Sequence, residues 1–538
     1  MSGTSNTVNN PSSDYLAMIE YWDMIAAIMG GTPTMRAGGE KYLPKFESES
    51  NEAYKERVRT AIFTNIFRSM VEDLAARPFT KEIQVKCSTA MAVLMENVDG
   101  QYTHINKFLS NWFEDAIANA ISYVFVDYAQ TDPNTIDASG RPRRKTLAEE
   151  RASGARPYAI MVPARDAIAV YSAIINGVEE FVHVRFREFY KRIDGFNEIM
   201  VEQVRVLTRD PIFRDDVVIG FEPPRFEIWE AKASSIRGTA KPASFKMIQS
   251  GPISLDRIPF TALVIGKREK GWIVLGAMND AAYLQIEHYE AQNGVKNLKK
   301  LTAFPMLAAN GVDPAFDKEG KVAPLPVGPR AVLYTGRGEA GNPSGSFDIL
   351  EPAGTSLEFL SKDAKDIAQE LRELGRQPLT ASSQNLTVVT TVFAARKGNA
   401  AIQNWALDLK DSAENFLMFM AMWSKDSHEP EVEMDMDFSL EPGENDGFSD
   451  VLSMRSSKDL SQDTLWAEAK RRGRLSASFD AEKEREALEK EADGDGSDDD
   501  ARDAVTLAGG EGEPTPPEDV QDTQVPGRPR PGEEDDVS

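Results

Sequence analysis

The sequence predicts an α+β fold in which helices come first, an antiparallel sheet follows, and helices return. Three observations carry this expectation. Apolar residues recur at helical spacing through most of the N-terminal third. From Tyr158 to Gly266 the period drops to two. After Gly276 two helix-like stretches flank a Gly- and Pro-rich insert, and a very long helical stretch comes after them. This order is not the strand–helix alternation of a doubly wound sheet, and no internal repeat is present.

Element by element, Tyr15 to Met29 reads as a helix that Gly30-Gly31 and Pro33 stop. Asn51 to Ala76 reads as one long amphipathic helix, with Asn51 as N-cap, Pro78 beyond its end, and Tyr54, Val58, Ile62, Ile66, Met70 and Leu74 on one face. Lys81 to Cys87 alternates as a half-buried strand, His104 to Asn119 is helical, and Ile121 to Tyr128 is a buried strand. Thr131 to Arg156 is a polar surface loop with basic residues at Arg141, Arg143, Arg144 and Lys145. The strands follow, among them Phe181 to Phe186, Glu198 to Leu207 and Arg225 to Trp229. Ala277 to Leu301 lacks proline and reads as a helix of about 37 Å. Phe304 to Pro352 is a strand-and-turn insert, Ser356 to Gly375 a second helix, Arg376 to Thr387 a polar stretch, and Val388 to Trp423 the long helix. Glu431 to Leu440 is a strand of alternating acids and apolar residues, and Ser461 to Ala492 a charged helical region.

The chain has 538 residues, enough for several cores, and carries a net charge of −25. Such acidity excludes a protein that grips nucleic acid through phosphate neutralisation. About half of it lies in Glu491–Ser538, where 16 acids face 3 arginines and 13 of 48 positions are Gly or Pro. With no aromatic residue, that tail is expected to be disordered, as are residues 1–13. The single cysteine, Cys87, allows no internal disulfide and fits a reducing compartment. No apolar run is long enough for a membrane span, and the start lacks the pattern of a signal peptide.

Motifs for chemistry are scarce. Gly336 to Gly341 has the spacing of a dinucleotide fingerprint, but Asn342-Pro343-Ser344-Gly345 follows it, so a turn stands where a helix is required. No phosphate-binding G-x-x-x-x-G-K-[ST] occurs. The acids from Asp493 to Asp500 fail the calcium-loop pattern, because Asp498 and Ala504 stand where Gly and Glu are needed. His104, His183, His288 and His428 are too scattered for a zinc site. Glu431, Glu433, Asp435 and Asp437 share one strand face, which serves either a divalent cation, as in a nuclease, or a basic neighbour. The expectation is no enzyme, no cofactor and no metal. Lys296, Lys299 and Lys300 cap the end of their helix, or form a collar if copies of the chain make a ring. Phe416, Phe419, Met420 and Trp423 on the long helix suit either a core or a contact with a neighbouring subunit.

In the order of these elements and in a series of short motifs, the chain resembles tailed-bacteriophage portal (head–tail connector) proteins. The resemblance is to a portal-like family long catalogued as a domain of unknown function. The motifs are Tyr54-Lys-Glu-Arg57 with Phe63-Thr-Asn65, Pro259-Phe260, Ala282 to Tyr289, and Phe304-Pro305 with Gly311. Further along come Glu351-Pro352-Ala-Gly354, Leu374-Gly375, and Leu460-Ser461 running to Trp466. Two departures stand out. Glu290-Ala-Gln-Asn293 replaces the usual small-Asp step after His288-Tyr289, and no alanine-rich helix start is evident near Thr390.

The resemblance implies a portal-type fold. Residues 1–13 would be a disordered start and 14–276 a mixed α/β wing. The stem would be helices 277–302 and 354–375, with the clip, 303–353, inserted between them. Residues 376–389 would form the tunnel loop, 390–455 the long wing helix and its strand, 456–492 a helical crown, and 493–538 the acidic tail. The resemblance also implies a ring of about twelve copies at one capsid vertex, assembled in the bacterial cytoplasm and carried in the virion. Double-stranded DNA would pass through it on packaging and ejection. Terminase large subunit, a head–tail adaptor, and major capsid and scaffolding proteins would be its partners, and no membrane would be involved. On this mapping Gln384, Asn385, Leu386 and Thr387 would face the DNA from the tunnel loop. Lys296, Lys299 and Lys300 would face it from the stem, while Phe416, Phe419, Met420 and Trp423 would meet a neighbouring subunit. The alternatives are a metal-dependent nuclease or hydrolase using the Glu431–Asp437 face, and a capsid-associated adaptor.

Overall fold

Among the described residues, helices come first, antiparallel strands follow and helices return, as the sequence predicts. The computed structural model describes residues 4–5, 7–47, 49–128, 134–136, 141–146, 149, 154–214, 217–231, 244–303, 306–311, 320, 345–350, 355–374, 388–434, 448–471, 474–475 and 479–494. Internal contacts divide the chain into two units, Met1–Leu440 and Glu441–Ser538.

The first unit begins with helices α1 (Ser13–Gly30), α2 (Thr32–Gly38), α3 (Asn51–Thr60), α4 (Ile66–Ala76), α5 (Thr89–Met95) and α6 (Ile105–Asn119). Each start has a local cause. The Tyr15 amide donates to Ser12 Oγ at the head of α1, and Gly31 ends that helix at φ 77°, where a side chain would be strained. His104 caps α6 by accepting from the Asn106 amide. Of residues 1–13, expected to be disordered, Thr7, Val8, Asn9 and Ser12 are held. Arg185 donates to the carbonyls of Thr7 and Val8, Arg187 donates to Asn9 Oδ1, and the Ser12 amide donates to the Ile168 carbonyl.

Two sheets carry the β structure. Strands β3 (Ile121–Tyr128), β6 (Pro157–Pro163) and β14 (Phe260–Val264) form an antiparallel sheet in the order β14-β3-β6. A second antiparallel sheet runs β1 (Thr4–Ser5), β13 (Phe245–Pro252), β12 (Arg225–Ala231), β9 (Asn197–Thr208), β8 (Val178–Asp194), β7 (Ala169–Ile175). Small pairs join β2 (Gln84–Lys86) to β19 (Glu431–Glu433), β4 (Asn134–Ile136) to β5 (Pro142–Arg144), β10 (Pro211–Arg214) to β11 (Val217–Phe221), and β15 (Gly266–Lys270) to β16 (Ile273–Gly276). The basic stretch read as a loop is therefore in part a strand pair, and Arg143 is bound by Glu149. Ile121 to Val126 is buried at every position, as a strand covered on both faces must be.

Aromatic rings join the two sheets. Phe186 meets Phe125 at 5.5 Å and Phe260 at 5.9 Å, and Phe181 stacks on Trp272 at 5.0 Å. Beside them Arg205 lies buried over the Phe125 ring and is bonded to Asp127 at 2.5 Å and Glu188 at 3.0 Å. His183 in β8 is a sheet residue beside Thr208, and burial pushes its ring down to about 4, so it is neutral near pH 7.

After the sheets come α7 (Asn279–Ala303), the strand pair β17 (Met306–Asn310) and β18 (Ser346–Leu350), α8 (Thr355–Leu374) and α9 (Val388–Ser424). Buried Ile402, Ala406, Leu409, Ala413, Phe416 and Met420 recur every three or four residues along α9. They seat the helix on α6 and on the sheet of β3, β6 and β14. The second unit holds α10 (Phe448–Ser456), α11 (Gln462–Arg471) and α12 (Ala481–Gly494), and within it Trp466 packs edge-on against Phe479.

The long helix expected over 51–76 is two helices. The chain leaves helical geometry at Ala61, where ψ is 141°. It re-enters at Ile66, where Asn65 Oδ1 accepts from the Arg68 amide. Ser50, one residue before the expected cap, is the residue that caps α3. Ile62, expected on the apolar face, is half exposed.

Candidate functional site

The break at 61–65 leads to the helix–strand pair–helix module. Buried backbone N–H and C=O groups need partners, and the extended segment makes few such bonds of its own, the Ile66 amide to the Thr64 carbonyl and the Ala61 amide to the Val58 carbonyl. A row of polar side chains on α7 supplies others. Gln285 Oε1 accepts from the amides of Ile66 and Phe67, both at 2.9 Å, and Gln285 Nε2 donates to the Thr64 carbonyl at 3.2 Å. Gln292 Nε2 donates to Thr64 Oγ1 at 2.7 Å. Asn293 accepts from the Ile62 amide and donates to the Ile62 carbonyl, both at 3.1 Å. Lys296 donates to the Thr60 carbonyl and Lys300 to the Thr60 hydroxyl. Residues 285, 292, 293, 296 and 300 lie on one helical face. Between these polar groups the Phe63 ring meets Tyr289 edge-on at 5.4 Å.

The lysines therefore act chiefly as caps. Thr60 is the last residue of α3, the negative end of its dipole. Lys296 and Lys300 converge there with Arg36, which donates to the Ala61 carbonyl. Burial pushes the Lys296 ammonium down, and the like charges of Lys300 and Arg36 add to this. The cap that the sequence offered as one reading is made to Thr60 of α3 by Lys296 and Lys300, while Lys299 and Lys300 are exposed.

β17 starts at Met306, three positions after α7 ends, and β18 ends at Leu350, five positions before α8 begins. The two strands pair antiparallel, so the helices they join run in opposite directions and pack along each other. Ile367 and Leu371 are the buried residues of α8. Asp363, Asp366, Glu370 and Glu373 fall on one exposed face of it, an acidic stripe with Lys362 and Lys365 beside it.

Other expected site residues meet different fates. Gln384, Asn385, Leu386 and Thr387 lie outside the described residues, as do most of the insert between β17 and β18, the Gly336–Gly341 motif and positions 495–538. Phe416, Phe419 and Met420 are buried inside the chain itself, with Phe416 wedged against Phe108 and Trp112 at 5.9 and 5.7 Å and Phe419 beneath Arg257. They have no surface left to give a neighbour, so the expected subunit contact is corrected to core. Trp423 is half-buried and donates to Ser254 Oγ.

The acidic face at Glu431 and Glu433 meets a basic neighbour, because Lys86 of β2 bridges both carboxylates. Asp435 and Asp437 lie outside the described residues. Among the described residues no cluster of His, Cys, Asp or Glu is placed to hold a metal, and no helix is long and apolar enough to cross a membrane.

Two residues of the α7 row, Gln292 and Asn293, belong to the Glu290-Ala-Gln-Asn293 departure, and Gln285 lies within the Ala282 to Tyr289 motif. The available signal is Gln285, Gln292 and Asn293 on the helical face they share with Ala282 and Tyr289.

Residues 277–424, the span of α7 to α9, match a family model described as Domain of unknown function (DUF4055). No curated protein matches the chain. Among solved structures, a chain from the "Neck of native GTA particle computed with C12 symmetry" is 13% identical, with 76% of this chain and 86% of that one covered and a TM-score of 0.35. One from the "Virion of native gene transfer agent (GTA) particle" is 12% identical, with 83% and 96% covered and a TM-score of 0.36. One from the "Neck of empty GTA particle computed with C6 symmetry" is 13% identical, with 77% and 87% covered and a TM-score of 0.35. Likenesses at this level leave the fold to be read from the chain's own contacts.

Proposed function

We propose that the chain is a portal subunit, a structural protein of a phage-like particle with no chemistry of its own. About twelve copies would form a ring through which double-stranded DNA is packaged and released. The supporting observation is the module itself. Two helices run in opposite directions, a strand pair joins their ends, and a long core helix follows after a polar stretch. In this reading α7 and α8 are the stem, the β17–β18 insert is the clip, and residues 376–389 are the tunnel loop.

The electrostatics fit a conduit. A duplex held by many phosphate contacts cannot slide freely, whereas an acidic wall keeps it centred and leaves only brief contacts to guide it. The exposed stripe Asp363, Asp366, Glu370 and Glu373 has the sign such a wall needs. Terminase, adaptor, capsid and scaffolding proteins are the partners this role requires.

The loop provides the test. Replacing Gln384–Thr387 by glycine and serine is expected to lower packaged DNA at least tenfold in a complementation assay and to leave particle assembly unchanged. Normal DNA content in the variant would remove the loop from the conduit.

A further inference from the structure

Residues 51–76 contain no glycine and no proline, and the apolar spacing of Tyr54, Val58, Ile62, Ile66, Met70 and Leu74 runs through without a gap. That pattern specifies one helix. The chain makes two, α3 and α4, with residues 61–65 between them. Ile62, which a continuous helix would place on the apolar stripe, stands half exposed.

Side chains from elsewhere take up both ends of the hydrogen bonds that the missing turn would make. In a helix the Thr64 amide would donate to the Thr60 carbonyl. Here the amide donates to Gln292 Oε1, and the carbonyl accepts from Lys296 Nζ. The Ile66 amide would donate to the Ile62 carbonyl. Instead it donates to Gln285 Oε1 and the Thr64 carbonyl, and the Ile62 carbonyl accepts from Asn293 Nδ2. The Phe67 amide would donate to the Phe63 carbonyl. It too donates to Gln285 Oε1, and the Phe63 carbonyl accepts from Thr32 Oγ1. Of the outside partners in these three pairs, all but Thr32 lie on α7. The Phe63 ring also rests on α7, edge-on to Tyr289, and Asn65 caps α4.

From this substitution of partners we infer that residues 61–65 are a two-state element. They are extended while α7 lies against them, and helical, joining α3 and α4 into one rod, when α7 draws away. Backbone groups are satisfied in both states, by α7 in the first and by one another in the second. The two arrangements are therefore discrete, as a switch requires. Displacement of α7 becomes a change of direction between α3 and α4, and whatever straightens the rod loosens α7 in return. All of these groups belong to one chain, so the element acts whether or not copies form a ring.

Double electron–electron resonance on the full chain tells the states apart. In a Cys87→Ser background, spin labels are placed on Lys55→Cys and Glu72→Cys, both exposed positions. In one continuous helix their backbones are about 26 Å apart, at 1.5 Å per residue. Gln285→Ala, Gln292→Ala and Asn293→Ala together release the segment and keep α7 helical, because alanine favours the helix. They are combined because the remaining partners still hold the segment when one is lost. The triple variant is expected to populate the 26 Å state at least tenfold more than the wild type. Thr64→Ala with Asn65→Ala leaves α7 untouched, removes the α4 cap and raises helix propensity in the segment, and is expected to shift the same way. Wild-type distances in both variants overturn the inference. A broad distribution without the 26 Å component does the same, since the freed segment then only frays. If the triple variant loses its cooperative melting, the second variant decides, and an unchanged distance there overturns the inference.

Discussion

Arg205→Ala is expected to cost about 3–5 kcal/mol of stability, the usual penalty for removing one partner of a buried ion cluster. The Arg205 guanidinium is buried between Asp127 and Glu188 over the Phe125 ring, at the join between the two sheets. Burial alone would lower its pKa, but the two carboxylates outweigh that effect and raise it. Removing the cation leaves two carboxylates, each mostly buried, with their main partner gone. The Tyr158 hydroxyl, which donates to Asp127 and is itself pushed up to about 12 by burial first and Asp127 next, cannot replace a charge. The urea midpoint should fall accordingly. The combined variant Arg205→Met, Asp127→Leu, Glu188→Leu should recover much of the loss, because a packed apolar trio needs no counter-charge. A loss below about 1 kcal/mol in the single variant would mean that the cluster is solvated.

Gln285→Leu is the second large effect. Leucine matches the side chain roughly in size but can neither accept from the Ile66 and Phe67 amides nor donate to the Thr64 carbonyl. The Ile66 amide and Thr64 carbonyl keep their bond to each other, but the Phe67 amide is left buried without its acceptor, which is expected to cost about 1–3 kcal/mol. Amide hydrogen exchange at Ile66 and Phe67 should quicken more than at Val71 in the interior of α4. Gln285→Glu retains the acceptor and loses the donor, so it should fall between the wild type and leucine. Equal exchange in all three proteins would show that α7 does not hold the segment.

The clasp also shows where sequence reasoning succeeds and where it stops. Local signals were legible, including the Gly30-Gly31 stop, the alternation of the sheet, the buried run Ile121–Val126 and the two helices around the insert. Each depends on neighbours within a few residues. The break in the 51–76 helix depends on side chains more than 200 positions away, and periodicity at Tyr54, Val58, Ile66, Met70 and Leu74 continues across it unchanged. Lys296 is similar. Its place near a helix end suggested a cap, but the helix it caps is α3 and not its own. The aromatic run at Phe416 to Trp423 was equally compatible with a core and an interface, and only the packing of Phe108 and Trp112 onto Phe416 decides between them.

Acidity ties the chain's composition to its proposed role. The net charge of −25 opposes any grip on DNA. On α8 it takes the form of a stripe along one exposed helical face.

Electron microscopy of the purified full-length protein tests the central claim most directly. The portal reading predicts closed rings of about twelve copies of the 59.5 kDa chain, with an open axial channel and a narrowed stem at one end. Particles that remain monomeric at every concentration, or rings lacking the stem, would contradict it.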